Sequence, residues 1–217
     1  ELLNTHKYIL NNMIMRLEVA IAIEIKYFAL TGFMPTFLER PFTLEIGDNV
    51  ITCENVETGE INKKELKQKY NIPPIKFTGV IDRVDVNGKK ISIIDYKSSQ
   101  SDFSLDSLEL GFISQILTYA LACEMMFGKN SEDILGIFYR EIAKLGKDLK
   151  TYRLRGLANS DLILDDEFYE KAPEIMYVRT TKAKKIHGAD SHKAFTSPEL
   201  EKLVNKNLEN IMMLIEK

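Results

Sequence analysis

The sequence predicts an α/β fold: a small mixed sheet flanked by helices, in the order αβββαβ, with a C-terminal helical extension. Three observations carry that prediction. Apolar residues recur at helical spacing near both ends and in the middle of the chain. Alternating, strand-like runs lie between them, and Asn87-Gly88 separates two of those runs as a hairpin signal.

Leu10, Ile14, Leu17, Ile21, Ile25 and Phe28 predict a long amphipathic helix, with Asn4 or Thr5 as a cap and Gly32 just past its end. Pro35 to Ile46 reads as a connector and first strand, because Phe42, Leu44 and Ile46 alternate with Thr43 and Glu45. After the turn at Gly47-Asp48-Asn49, Val50 to Thr52 returns as a short strand. Asn62 to Tyr70 is highly charged and ends before Pro73-Pro74, which predicts an exposed helical insertion whose lysines either meet DNA or form a solvated face.

The central stretch runs from Phe77 to Gln100. A two-residue turn on Asn87-Gly88 sets Val86 opposite Lys89, Val84 opposite Ile91, Asp82 opposite Ile93 and Val80 opposite Asp95. Asp82, Asp95 and Lys97 then share one face with apolar residues. Diagonal neighbours lie about 7 to 8 Å apart at Cα, close enough for two carboxylates to converge on an ion with ligands at roughly 2.1 Å. Burying such charges unpaired costs on the order of several kcal/mol, and a hard divalent cation, Mg²⁺ or Mn²⁺, would neutralise them. Lys97 would stabilise charge developing on a substrate. A salt-bridged hairpin with its charges at a solvated rim is the alternative.

Ser98 to Ser107 reads as a polar loop leading into a helix from about Leu108 to Phe127, ended by Gly128. Gln115 and Tyr119, four residues apart, share a side of that helix with Phe112 and Met126, while Ile113, Ile116, Leu117, Ala120 and Leu121 supply core. Taken alone, that side is also what an ordinary helix with a buried tyrosine looks like. Ile134 to Glu141 is a short apolar strand, and its Arg140, beside the polar turn at Ala143 to Asp148, reads as a phosphate contact or a surface salt bridge. Tyr177 to Thr181 predicts a strand, followed by a mobile loop from Lys182 to Ala194 whose Lys182, Lys184, Lys185 and His187 are candidates for DNA contact. Ser197 as N-cap and Pro198 at the first helical position start a final helix, with Leu200, Leu203, Val204, Ile211, Leu214 and Ile215 on its apolar side.

Composition narrows the classes. At 217 residues, 45% hydrophobic and 28% charged, the chain can bury the core of one large domain. A net charge of −3 excludes a uniformly basic surface, so any nucleic-acid contact comes from a local patch. Cys53 and Cys123 are too few for a disulfide framework or a zinc site, which suits a reducing cytoplasm, and Cys123 reads as a small buried hydrophobe. No apolar run reaches the roughly 18 residues of a membrane span, so no membrane partner is expected.

Gly79-x-Ile81-Asp82-Arg83, then Asp95-Tyr96-Lys97, then Gln115-x-x-x-Tyr119 resemble, in this order, three motifs of the PD-(D/E)xK nuclease superfamily in its RecB-like branch. The resemblance implies a restriction-endonuclease-like core over about residues 7–141 and an extension over about 142–217 of a single domain. Leu149 to Asp166, the Gly32-Phe33-Met34-Pro35 turn with Glu39 and Phe42, and Asp95 to Ser99 also resemble AddB-type subunits of bacterial helicase–nucleases, so the likeness covers most of the chain.

What the resemblance implies is a Mg²⁺- or Mn²⁺-dependent deoxyribonuclease module of a helicase–exonuclease that processes double-strand breaks. Single-stranded DNA ends would be its substrate and a helicase–nuclease subunit its partner. Asp82, Asp95 and the Tyr96 carbonyl would hold the metal, Lys97 would orient the attacking water, and Gln115 with Tyr119 would position the scissile strand. Arg83 and Arg140 are further candidates for DNA contact.

The chain departs from the family's pattern in two places. His6 lacks the surroundings of the family's upstream histidine and reads as a surface residue, and the chain opens at Glu1 almost directly into a helix, as an excised fragment would. An iron–sulfur cluster is expected in a full-length relative, but two cysteines do not support one here. The rival reading is a noncatalytic DNA-holding or interaction module that retains the nuclease fold.

Overall fold

In the computed structural model of the chain, the described residues are 2–67, 69–97, 114–141, 153–165, 168, 170–176 and 178–216. Helix α1 spans Leu2–Thr31, and Gly32, at φ +69°, ends it by donating its N–H to Phe28 O at 2.8 Å. Strands β1 (Met34–Gly47), β2 (Val50–Glu54), β3 (Ile61–Glu65), β4 (Ile75–Asn87) and β5 (Lys90–Lys97) follow. Helix α2 (Ser114–Phe127) then leads to β6 (Ile134–Glu141) and β7 (Arg155–Asn159). The remainder holds two single-turn helices, α3 (Ser160–Ile163) and α4 (Ala172–Ile175), the small hairpin β8 (Thr180–Thr181) and β9 (Lys185–Ile186), strand β10 (Ala194–Phe195) and the long helix α5 (Ser197–Glu216).

The expected αβββαβ order runs through α1, β1, β4, β5, α2 and β6. The sheet is larger than expected, with eight strands in the order β10-β7-β6-β5-β4-β1-β2-β3. β1 and β4 are long enough to carry the β2–β3 pair beyond the core at one end, while β7 and β10 extend the other. β5 and β6 run parallel, so the chain between them must cross over a face of the sheet. α2 lies there, packing Ile116, Leu117 and Ala120 with Val84, Ile93 and Ile137 and with Leu203 and Leu208 of α5. A second core on the other face holds Tyr27, Phe33, Ile94, Leu135, Phe138 and Phe168.

Four local expectations are corrected. The charged segment expected as a helix is instead strand β3 over its first part, because Asn62 and Lys64 are claimed by α2: the Asn62 amide donates to Met125 O, and Lys64 pairs with Glu124 at 3.2 Å. The N-cap of α5 is Thr196 rather than Ser197. Glu199 Oε2 accepts from the Thr196 N–H at 2.7 Å in capping-box fashion, while Ser197 donates to Asp161. The expected loop from Lys182 to Ala194 contains β9, a 3₁₀ segment over Gly188–Lys193 and the start of β10. The fourth is the predicted stripe of α1, which faces solvent: Leu10, Leu17 and Ile25 are 57%, 61% and 61% exposed, and the helix is anchored instead through Ile23, Glu24 and Tyr27. The polar loop at 98–107, the start of the second helix at 108–113, the turn at 143–148 and Tyr177 lie outside the described residues.

Two consequences are measurable. A Cβ on Gly136 would come within 2.1 Å of Phe138 Cζ and 2.7 Å of Leu157 O, so Gly136→Ala destabilises the fold by about 1–3 kcal/mol in urea denaturation. In the 3₁₀ segment, buried Asp190 accepts from Arg179 Nε at 2.6 Å and Lys193 Nζ at 2.8 Å, and Arg179 above all holds its carboxyl well below the usual carboxylate range. A depressed folded value contributes stability above the unfolded value, and that stability is lost as pH falls through the folded value. Asp190→Asn therefore lowers the thermal midpoint at pH 7, and the gap to wild type narrows below about pH 4.

Candidate active site

The site is built on the β4–β5 hairpin, whose register differs from the expected one. The turn residues are Gly88 and Lys89, with Gly88 at φ +58°, and Asn87 pairs with Lys90. Asn87 is kept in the strand because its side-chain amide donates to Thr31 O at 3.1 Å, at the end of α1. Relative to the expected pairing, the partners slide by two: Val86 lies opposite Ile91 and Val84 opposite Ile93. A two-residue slide leaves every side chain on its original face, whereas a one-residue slide would invert the strand. The paired register ends at Arg83 and Ile94, and carried one step further it sets Asp82 opposite Asp95 instead of on a diagonal.

Asp95 is 3% exposed, and its Oδ2 contacts the Lys97 ammonium, which also lies 4.9 Å from the Tyr139 ring centre. Burial pushes the Asp95 carboxyl above its ordinary value, Lys97 pulls it back, and the Asp82 charge pushes it up further. Asp82 Oδ2 accepts from the Tyr96 N–H at 2.8 Å. α2 supplies the other side of the site: Gln115 Nε2 donates to Tyr119 OH at 2.7 Å. Burial raises the Tyr119 phenol, Gln115 opposes that, and Asp95, Asp82 and Glu39 add to it, so these carboxylates reach the phenol electrostatically. Phe42 meets Tyr119 edge-on at 5.9 Å between ring centres, and a Cβ on Gly79 would come within 2.6 Å of that Phe42 ring. The first glycine of the Gly79-x-Ile81-Asp82 run therefore makes room for the aromatic pair.

Asp82, Asp95, Lys97, Gln115 and Tyr119 thus surround one region, whereas Arg83 and Arg140 do not join them. Both residues are buried, at 2% and 5% exposure, in the other layer of the sheet, where Glu24 pairs with Arg83 at 2.8 Å and Arg140 at 3.1 Å. Their expected contact with DNA is corrected accordingly, since strand alternation turns Arg83 away from Asp82 and its charge is matched by Asp85 and Glu24. His6 is exposed near the start of α1, about 27 Å along the helix from Glu24.

Two residues near the site were given no role in it by the sequence: Tyr139, which no motif contains, and Glu39, which entered only through the wider AddB-type likeness. Tyr139 pairs with Asp95 across the parallel β5–β6 ladder, and its phenol is pushed up to about 12 by burial, Asp95 and Tyr119. That ladder is what reveals it, and the ladder is invisible in the sequence of β6 itself. Glu39, at φ +47°, lies between the pairs Leu38–Arg83 and Arg40–Ile81, a register position opposite Asp82.

Asp82 and Asp95 offer hard oxygen donors of the kind that suit small divalent cations, and among the described residues the buried Asp95 Oδ2 meets the Lys97 ammonium without a further hydrogen-bond partner. Among the described residues, no three His, Cys, Asp or Glu side chains converge on one point.

The chain is similar in sequence to known proteins. The chain is 30% identical over 182 residues to an ATP-dependent helicase/deoxyribonuclease subunit of Carboxydothermus hydrogenoformans, a match covering 70% of the chain and 16% of that protein. It is 29% identical over 147 residues to the protein of the same name from Streptococcus mutans, covering 63% of the chain and 13% of the relative. With the protein of that name from Ruminiclostridium cellulolyticum it shares 39% identity over 75 residues, 31% of the chain and 6% of the relative. The matched region thus amounts to a sixth or less of each of these relatives. A family model described as the PD-(D/E)XK nuclease superfamily matches residues 7–212, nearly the full length, and the chain belongs to that superfamily.

Proposed function

We propose that this chain is a Mg²⁺-dependent deoxyribonuclease module that hydrolyses DNA phosphodiester bonds. The observation that carries the reading is the placement of Asp82 opposite Asp95, with Lys97 against Asp95 and the Gln115–Tyr119 pair nearby on α2. A divalent ion held by Asp82, Asp95 and the Tyr96 carbonyl would polarise a phosphoryl oxygen and acidify a bound water. Lys97 places a fixed positive charge where negative charge grows on the phosphoryl group, and it does so in a partly buried site where that charge is weakly screened. Gln115 fixes the Tyr119 hydroxyl, and the two together present a polar edge that orients the strand to be cut.

The relatives' names, which join helicase and deoxyribonuclease, support the larger context of this proposal. The module acts as an exonuclease on single-stranded ends delivered by a helicase, pairs with a second helicase–nuclease subunit, and serves double-strand break repair and recombination in the cytoplasm.

Incubating the chain with single-stranded DNA and Mg²⁺ or Mn²⁺, against a chelator control, tests the reading, and slow metal-dependent cleavage is the expected result. Lys97→Ala lowers turnover by about 10²–10³-fold while DNA affinity stays within about twofold. Asp82→Asn abolishes Mn²⁺ binding in calorimetry and leaves folding stability within about 1 kcal/mol of wild type or slightly higher, because it removes a charge that repels Asp95. DNA binding without metal-dependent cleavage in the wild type would instead make the chain a DNA-holding module.

A further inference from the structure

Behind the carboxylate pair lies a second charged group that the proposed chemistry does not use. Arg83 engages Asp85 through two parallel bonds, Nε to Oδ1 and Nη2 to Oδ2, both 2.6 Å. Its remaining nitrogen, Nη1, meets Glu24 Oε2 at 2.8 Å and donates to Tyr96 OH at 3.0 Å. Burial works against the guanidinium charge, but Asp85 and Glu24 outweigh it and keep Arg83 firmly protonated. The rings of Tyr27 and Phe28 lie 5.9 and 5.6 Å from its central carbon. A bidentate fork with two further partners has one orientation available to it, so this side chain is fixed from α1, β4 and β5 at once.

The covalent neighbours of these residues are what matter. Arg83 is bonded to Asp82, and Tyr96 stands between Asp95 and Lys97. Regular pairing of β4 with β5 ends at Arg83 and Ile94, and the Tyr96 N–H goes to the Asp82 carboxylate. Tyr96 is therefore held at two points: its hydroxyl by Arg83 on one face, and its amide by Asp82 on the other. Directly opposed like charges push paired strands apart, and this is the step at which the ladder has stopped resisting them.

We propose that Arg83 is a positioning residue that acts through Tyr96: by clamping the Tyr96 ring from behind, it keeps the Tyr96 N–H on Asp82 and so sets the separation of Asp82 from Asp95. The metal-binding part of this inference rests on the nuclease reading above, while the geometric part does not. Glu24 extends the clamp by joining Arg83 to Arg140 on β6, so strands on both sides of the Asp95 strand are tied to the same helix.

Replacing Arg83 would strand Asp85 and Glu24 in the interior and risk unfolding, so the decisive variant is Tyr96→Phe, which deletes only the hydroxyl. Two measurements are made on the full chain. In metal-free hydrogen exchange, the amide of residue 96 is expected to exchange at least about tenfold faster in the variant, while those of Ile93 and Ile137 are unchanged. In calorimetry, Mn²⁺ binding is expected to weaken about tenfold, the size of one charge-assisted hydrogen bond, with affinity for single-stranded DNA unaltered. Unchanged protection at residue 96 overturns the clamp whatever the metal does. Faster exchange in a chain whose wild type binds no Mn²⁺ supports the clamp and overturns the nuclease reading. Faster exchange with Mn²⁺ affinity intact leaves the tie a purely structural one and overturns its positioning role.

Discussion

Two carboxylates opposite one another on neighbouring strands repel, and a sheet ordinarily avoids that arrangement. Here the repulsion is opposed from three sides. Lys97 neutralises part of it on the same face, the Tyr96 N–H gives Asp82 a donor, and the Arg83 fork braces the strands from behind. Much of the remaining architecture serves those braces. α1 docks through Glu24 and Tyr27 because they complete the group around Arg83, and α2 crosses between the parallel strands β5 and β6 because the face carrying Asp95 needs a lid.

The motif residues were legible because their chemistry is local. An Asp, a second Asp and a Lys on two strands joined by a short turn share a face whether the partners pair as expected or slide by two. The register itself was not legible: Asn87 looks like a turn residue until the end of α1 supplies a carbonyl for its amide. The role of Arg83 was misread for a related reason, and of the two readings of Arg140 the salt bridge is the one found, though buried rather than at the surface. An arginine beside a catalytic-type aspartate looks like a phosphate contact, and only the positions of Glu24 and Asp85 reveal where its charge is satisfied.

Helix α1 gives the opposite lesson. Its stripe from Leu10 to Ile25 follows helical spacing correctly, and the helix and its end before Gly32 were read from it, whereas Asn4 and Thr5, read as caps, lie inside a helix that starts at Leu2. Which face is buried was not legible, because the docked face is the one on which Glu24 meets both Arg83 and Arg140 beside buried Ile23 and Tyr27, partners that lie far away in the sequence. Strand β3 was misread by local propensity, since NKKE has little strand character until β2 and Glu124 provide partners.

The β1–β4 pairing is wide in sequence. It joins Ile46 to Ile75 at its near end and Met34 to Val86 at its far end, with the whole β2–β3 excursion between. The β4–β5 hairpin, by contrast, closes over a two-residue turn. During folding the hairpin carrying both aspartates therefore forms early, on a microsecond timescale of about 1–10 μs, while its flanking strands wait for long loops to close. Until they arrive the opposed charges have neither a covered face nor a braced back, and a lone two-stranded ribbon is marginal even without such repulsion. The carboxylate pair is thus a late product of folding, and a nascent or partly unfolded chain lacks the geometry on which any metal-dependent chemistry would depend.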